Sequence, residues 1–63
     1  MTATVVYYLY GKDTGLYCGT ESVTIEYDAL DVLQRKIDIQ KEQYLQEDGF
    51  VADAVIEWSN EDV

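Results

Sequence analysis

The first eleven positions read as one uninterrupted strand. Met1 to Gly11 carry no charged side chain, and Thr4, Val5, Val6, Tyr7, Tyr8, Leu9 and Tyr10 are β-branched or aromatic at every position but one. Such a run predicts a strand with both faces covered or partly covered. Gly11, Lys12, Asp13, Thr14 and Gly15 then combine two glycines with an Asp able to bond its own backbone, the composition of a hairpin loop. A second strand is expected to return from Leu16, with a change of parity: Leu16 and Cys18 are apolar at even positions, Val23, Ile25 and Tyr27 at odd ones. A strict two-residue period does not allow this, so a β-bulge or short break is placed over Gly19 to Ser22.

After Tyr27 the period becomes helical. Asp28 is the expected N-cap, and Asp31, at the third helical position, suits the positive end of the helix. Leu30, Leu33, Ile37 and Tyr44 fall on one stripe, which is expected to bury against Val5, Tyr7, Ile25, Phe50 and Ile56. Gly49 suits the left-handed residue that ends a helix. From Phe50 a final strand alternates Phe50, Ala52, Ala54, Ile56 and Trp58 on one side with Val51, Asp53, Val55 and Glu57 on the other, and Ser59 to Val63 read as a frayed acidic end. The order is ββαβ. A strand–helix–strand crossover leaves its two strands parallel in direction, so placing the first strand between them makes every neighbour antiparallel. The predicted fold is therefore α+β: a three-stranded antiparallel sheet in the order 2-1-3 with one helix packed on one face, forming a single domain over residues 1–63. This arrangement puts the uncharged strand at the centre and the acid-bearing strands at the edges, where charge discourages unwanted pairing.

Composition narrows the function. A chain of 63 residues has no room for a second domain or a deep catalytic cleft. Thirteen carboxylates against four basic residues give a net charge of −9, which excludes non-specific attraction to nucleic acid or anionic membrane by sign and points to a basic partner. With 48% hydrophobic residues the chain is too rich in core formers for a disordered acidic tail. A lone Cys18 has no internal disulfide partner and is expected as a half-buried packing residue in a reducing compartment. No cationic segment followed by an apolar one opens the chain and no apolar run approaches the ~18 residues of a membrane span, so a cytoplasmic location is expected.

Catalytic chemistry is poorly supplied. Without His there is no imidazole base, and a Cys18 or Ser59 nucleophile has no activating partner at a recognisable spacing, so no catalytic residue is expected and the chain reads as a non-enzyme. Glu47 with Asp48 and Glu61 with Asp62 are adjacent carboxylates outside any calcium-loop pattern, and one Cys without His does not complete a zinc site. No Gly-rich loop precedes the helix to cradle a phosphate, so no metal and no cofactor are expected.

What remains is surface. The 22 residues after Lys41 hold seven carboxylates and no basic residue. If Val5, Tyr7 and Leu9 meet the helix, Val6, Tyr8 and Tyr10 face outward beside Val51, Asp53, Val55 and Glu57. Tyrosine offers a large apolar body with a polar tip, a combination enriched in protein interfaces. The leading protein-binding residues are thus Tyr8, Tyr10, Asp53 and Glu57, the two acids projecting from one side of a strand at an expected spacing of about 6.7 Å. Asp31, Asp38 and Glu42 form a second acidic stripe on the helix, diluted by Arg35.

The size, the acid excess, the ββαβ order and the missing catalytic groups together resemble the small inhibitors that bacteriophages make against host nucleic-acid machinery. Anti-CRISPR proteins, many of them acidic DNA mimics, are one such group, and the short phage inhibitor of bacterial RNA polymerase is another. Similarity to the latter runs over about Ser22 to Trp58: a strand ending Ile25, Glu26, Tyr27, a helix opening around Leu30 and Asp31, and Gly49, Phe50 before the last strand. No functional residue is carried over by position. The resemblance implies a non-enzymatic protein that occludes a basic nucleic-acid-binding surface, for example of a CRISPR effector, in the cytoplasm of a host bacterium, without itself contacting nucleic acid or membrane. The alternative is a structural or assembly module, such as a virion accessory part or a homodimer joined through the tyrosine and valine face. Inhibition of RNA polymerase through a basic patch is a further alternative with the same chemistry as the first.

Overall fold

A computed structural model describes residues 1–58. Strands β1 (Thr2–Gly11) and β2 (Tyr17–Glu26) form a hairpin, helix α1 (Leu30–Gln43) runs on into one π-helical turn (Tyr44–Asp48), and strand β3 (Phe50–Glu57) follows. The sheet order is β2-β1-β3, with β1 antiparallel to both neighbours. This is the predicted α+β, ββαβ arrangement. From Thr4 to Tyr10 each β1 residue has a partner on both sides, which is why this segment carries no charge.

The face of β1 that meets α1 holds Ala3, Val5, Tyr7 and Leu9, all buried. Ile25 and Val23 stand opposite Ala3 and Val5 on β2, and Ile56, Ala54 and Ala52 stand opposite Val5, Tyr7 and Leu9 on β3. Leu33, Ile37 and Tyr44 come down from the helical segment to complete this core. The small Ala54 beside Tyr7 leaves space for a second aromatic ring, and the Tyr44 ring lies 5.3 Å from that of Tyr7, tilted by 59°. Gly49 ends the helical segment at φ 70°, a left-handed conformation that disfavours any side chain, and its N–H donates to the Leu45 carbonyl at 3.2 Å.

Several sequence expectations need correction. Leu30 is 64% exposed rather than buried. It lies at the first helical residue, where the end of the core is closed by Tyr27; that residue is buried, its N–H donates to the Met1 carbonyl at 2.8 Å, and its ring meets Trp58 edge-on at 6.5 Å. Asp28 is not the N-cap. Ala29 holds that position with extended backbone and no side-chain cap, its carbonyl accepting from Val32 and Leu33, so Asp31 becomes the second helical residue. It still stands in the first turn, where a carboxylate suits the dipole.

The bulge sits earlier than Gly19 to Ser22. Leu9 pairs with Gly19 but Tyr10 pairs with Tyr17, so Cys18 is the extra residue, and Gly19 takes the φ of 151° that the kink demands. Cys18 is consequently exposed rather than half-buried, its thiol donating to the Leu16 carbonyl at 3.4 Å. Leu16 precedes β2 and is 68% exposed. The expected frayed acidic end over Ser59 to Val63 lies outside the described residues.

Ile37→Ala should cost about 2 to 5 kcal/mol, since it leaves a cavity in the centre of the helix–sheet contact, whereas Leu30→Ala should cost under about 0.5 kcal/mol because its side chain is already in water. Urea unfolding of both variants checks the contrast. Tyr7 is fully buried and its hydroxyl has no hydrogen-bond partner. Tyr7→Phe should therefore raise stability by about 1 kcal/mol, seen as a higher melting temperature at neutral pH.

Candidate protein-docking surface

Only one face of the sheet is covered by the helix. Along β1 the other face presents Thr4, Val6, Tyr8 and Tyr10; it is flanked on β3 by Glu57, Val55, Asp53 and Val51, and on β2 by Thr24, Ser22, Thr20 and Tyr17. Val6 at its centre is nearly buried by these neighbours, while Tyr8, Tyr17, Val51 and Val55 are exposed. Tyr8 pairs directly with Asp53, and Tyr10 with Val51. Side chains so paired stand about 5 Å apart at Cβ, close enough for the tyrosine ring and the carboxylate to present one surface. Asp53 and Glu57 are four residues apart along β3, so they are separated by about 13 Å and not by the single two-residue step of about 6.7 Å. Val55 lies between them.

Tyr17 is a residue that sequence reasoning missed. The bulge at Cys18 turns Tyr17 onto the open face beside Tyr10, with ring centroids 5.8 Å apart in an edge-on arrangement. Its hydroxyl hydrogen-bonds that of Thr20, the next same-face residue once Cys18 is looped out. The parity change was the available signal: placing the extra residue at Cys18 puts Tyr17 opposite Tyr10.

Charge is segregated across the molecule. The four basic residues are Lys12 in the hairpin turn and Arg35, Lys36 and Lys41 on α1, so among the described residues the open face bears Glu26, Asp53 and Glu57 and no cation. Lys36 is occupied on the β2 side, where its ammonium donates to the Glu26 carbonyl at 2.6 Å. On the opposite flank of α1 a groove of about 390 Å³ runs beside β3, lined by Asp38, Lys41, Glu42, Leu45, Phe50, Val51, Ala52 and Asp53. The structure thus brings Asp38 and Glu42 of the helical stripe to the same groove as Asp53. Asp31, exposed in the first turn of α1, is not part of it.

Both helical carboxylates are held in place by amides one turn away. The Gln34 side chain donates to Asp38 at 3.1 Å and the Gln46 side chain to Glu42 at 2.7 Å. The π-helical turn that follows was not anticipated. It keeps Tyr44 in the core and leaves Leu45 37% exposed on the groove floor.

No family model, curated protein or solved structure matches the chain. The reading of the surface therefore rests on its geometry. Among the described residues no group of three or more His, Cys, Asp or Glu side chains is placed to hold a metal ion, and no helix is long and apolar enough to cross a membrane.

One carboxylate is withdrawn from this surface. Glu21, on the helix side of β2 opposite Tyr7, accepts a hydrogen bond from the Tyr44 hydroxyl at 3.1 Å. Burial, and then this bond and the charge of Glu21, push the Tyr44 phenol up from 10.0 to about 12. Below pH 10 the phenol is protonated in both folded and unfolded chains and its contribution is constant. As pH rises from 10 toward 12, the unfolded chain loses this proton while the fold retains it, so stability should fall across that window. Urea titrations from pH 9 to 12 should show the decline, and Tyr44→Phe should lessen it, the remainder coming from Tyr7, whose phenol burial also pushes up.

Proposed function

We propose that the protein is a non-enzymatic, acidic inhibitor or binding protein that occludes a basic, nucleic-acid-binding surface of a partner protein. The observation that carries this reading is an open sheet face on which Tyr8, Tyr10 and Tyr17 stand among Asp53 and Glu57, with no cation. Carboxylates held by a sheet replace phosphates at Lys and Arg of the partner, the tyrosines supply the desolvated contact, and the net charge of −9 accelerates encounter. A phage-encoded inhibitor of a CRISPR effector acting in a bacterial cytoplasm is the biological setting this chemistry suits best, and a basic patch on RNA polymerase would be engaged in the same way.

The assembly-module reading draws on the exposed Val51, Val55 and tyrosine rings of the same face. Charge opposes a homodimer through it. Joining two copies brings Asp53 and Glu57 of one near those of the other, where like charges repel.

The test is capture of the partner at low salt, followed by affinity measurement at two salt concentrations. Asp53→Lys with Glu57→Lys should weaken binding at least tenfold, about 1.4 kcal/mol, mainly by slowing association, and the wild-type complex should weaken as salt rises. Asp13→Lys with Asp28→Lys, which alters charge equally in the hairpin turn and before the helix, should change affinity less than threefold. Equal small effects from both pairs, with a salt-insensitive wild-type complex, would eliminate groove occlusion and leave the assembly module standing.

A further inference from the structure

The two edges of the sheet are not equivalent. β2 is interrupted by the bulge at Cys18, and its Glu26 carbonyl already accepts from Lys36. Both features hinder the addition of another strand. β3 has neither: its eight residues pair with β1 without a register shift, and it contains no Pro, Lys or Arg. Its outer row of backbone N–H and C=O groups is available, and acids are what guard it. Asp53 and Glu57 stand on the open-face side, while Asp38 and Glu42, with Lys41 between them in sequence, line the groove on the helix side, where the acids outnumber the single cation. Such guarding acts against one kind of strand and in favour of another. A second copy of this chain would bring its own Asp53 and Glu57 to the seam, where like charges on one face repel. An extended segment rich in Lys and Arg would meet carboxylates alone on the open face and a net excess of carboxylate over the single Lys41 on the groove side.

We infer that the β3 edge is a docking site for an extended basic polypeptide segment, which adds as a fourth strand. This rests on the reading that the carboxylates dock on a basic partner and specifies how: backbone pairing along Phe50–Glu57 sets the register, and side chains set the sign. Alternate residues of the added strand lie beside Asp53 and Glu57. The intervening ones enter the groove, where an Arg or Lys stem covers Leu45 and Phe50 while its cationic end reaches Asp38 or Glu42. The partner's basic segment is thus bound as a strand, not only as a charged surface.

Two synthetic peptides, each of eight residues, separate these terms. One alternates Arg with Val or Thr; the other keeps every side chain and carries a methyl group on each backbone nitrogen, which removes all the N–H donors that a ladder needs. The first should bind the full chain at least tenfold more tightly. In the isotope-labelled protein it should slow amide exchange at every second residue of β3 and leave β2 unchanged. Equal affinity for both peptides, or protection along β2 instead, would overturn the edge assignment and leave the carboxylate reading intact. Failure of both peptides to bind would also overturn it, and the carboxylate reading would fall with it only if the captured partner complex proved insensitive to salt.

Discussion

One helix is available to cover a sheet that has two faces. That constraint governs the molecule. In 63 residues the chain provides three strands of eight to ten residues and one 14-residue helix with its added turn, so a two-layer body is the largest structure it builds. The covered face concentrates the core on Val5, Tyr7 and Leu33, the largest fully buried side chains. β1 must serve both faces at once, which explains why Val6 is as apolar as Val5 although it points away from the helix. The opposite face has to remain stable in water without a second layer. Tyrosine and β-branched residues are suited to that position because they pair across strands while keeping a polar tip or a compact surface.

Sheet order and the division of faces were legible in the sequence, because both follow from period-two patterning and from the lack of charge in β1. The buried stripe Leu33, Ile37 and Tyr44 was legible for the same reason on a 3.6-residue period. Leu30 fits that period too, yet it misses the core. Periodicity reports the direction in which a side chain points around the helix, not whether the sheet extends beneath it, and at this end Tyr27 occupies the space. The bulge was recognised from parity but falls one residue before the expected span, since a change of phase marks an interval rather than a position. The displacement mattered: it hid the exposure of Cys18 and the arrival of Tyr17 beside Tyr10.

The groove was beyond a one-dimensional reading altogether. Asp38 and Glu42 belong to a helical stripe and Asp53 to a strand, and only the crossing of α1 over β3 brings all three residues to one groove. The two acidic surfaces that sequence separation had made alternatives flank the same strand edge, one on the helix side and one on the open face. Asp31 remains outside because it lies two turns earlier on the helix, away from the Lys41 to Leu45 segment that borders β3.

Charge in this molecule acts on folding and binding with opposite sign. Thirteen carboxylates on so small a body repel one another, a cost borne in the free protein and relieved when cations gather around it or when a basic partner binds. Rising salt screens that repulsion and favours the isolated fold, yet it also screens the attraction on which a complex depends. The acid excess is therefore poorly explained as a device for stability. All four basic residues stand on the helix or in the hairpin turn, and the charged side chains of the open face are acids alone. On the proposed function, segregation of this kind gives a surface suited to selecting a partner by charge, and the proposed docking along the edge of β3 would extend that selection from side chains to backbone.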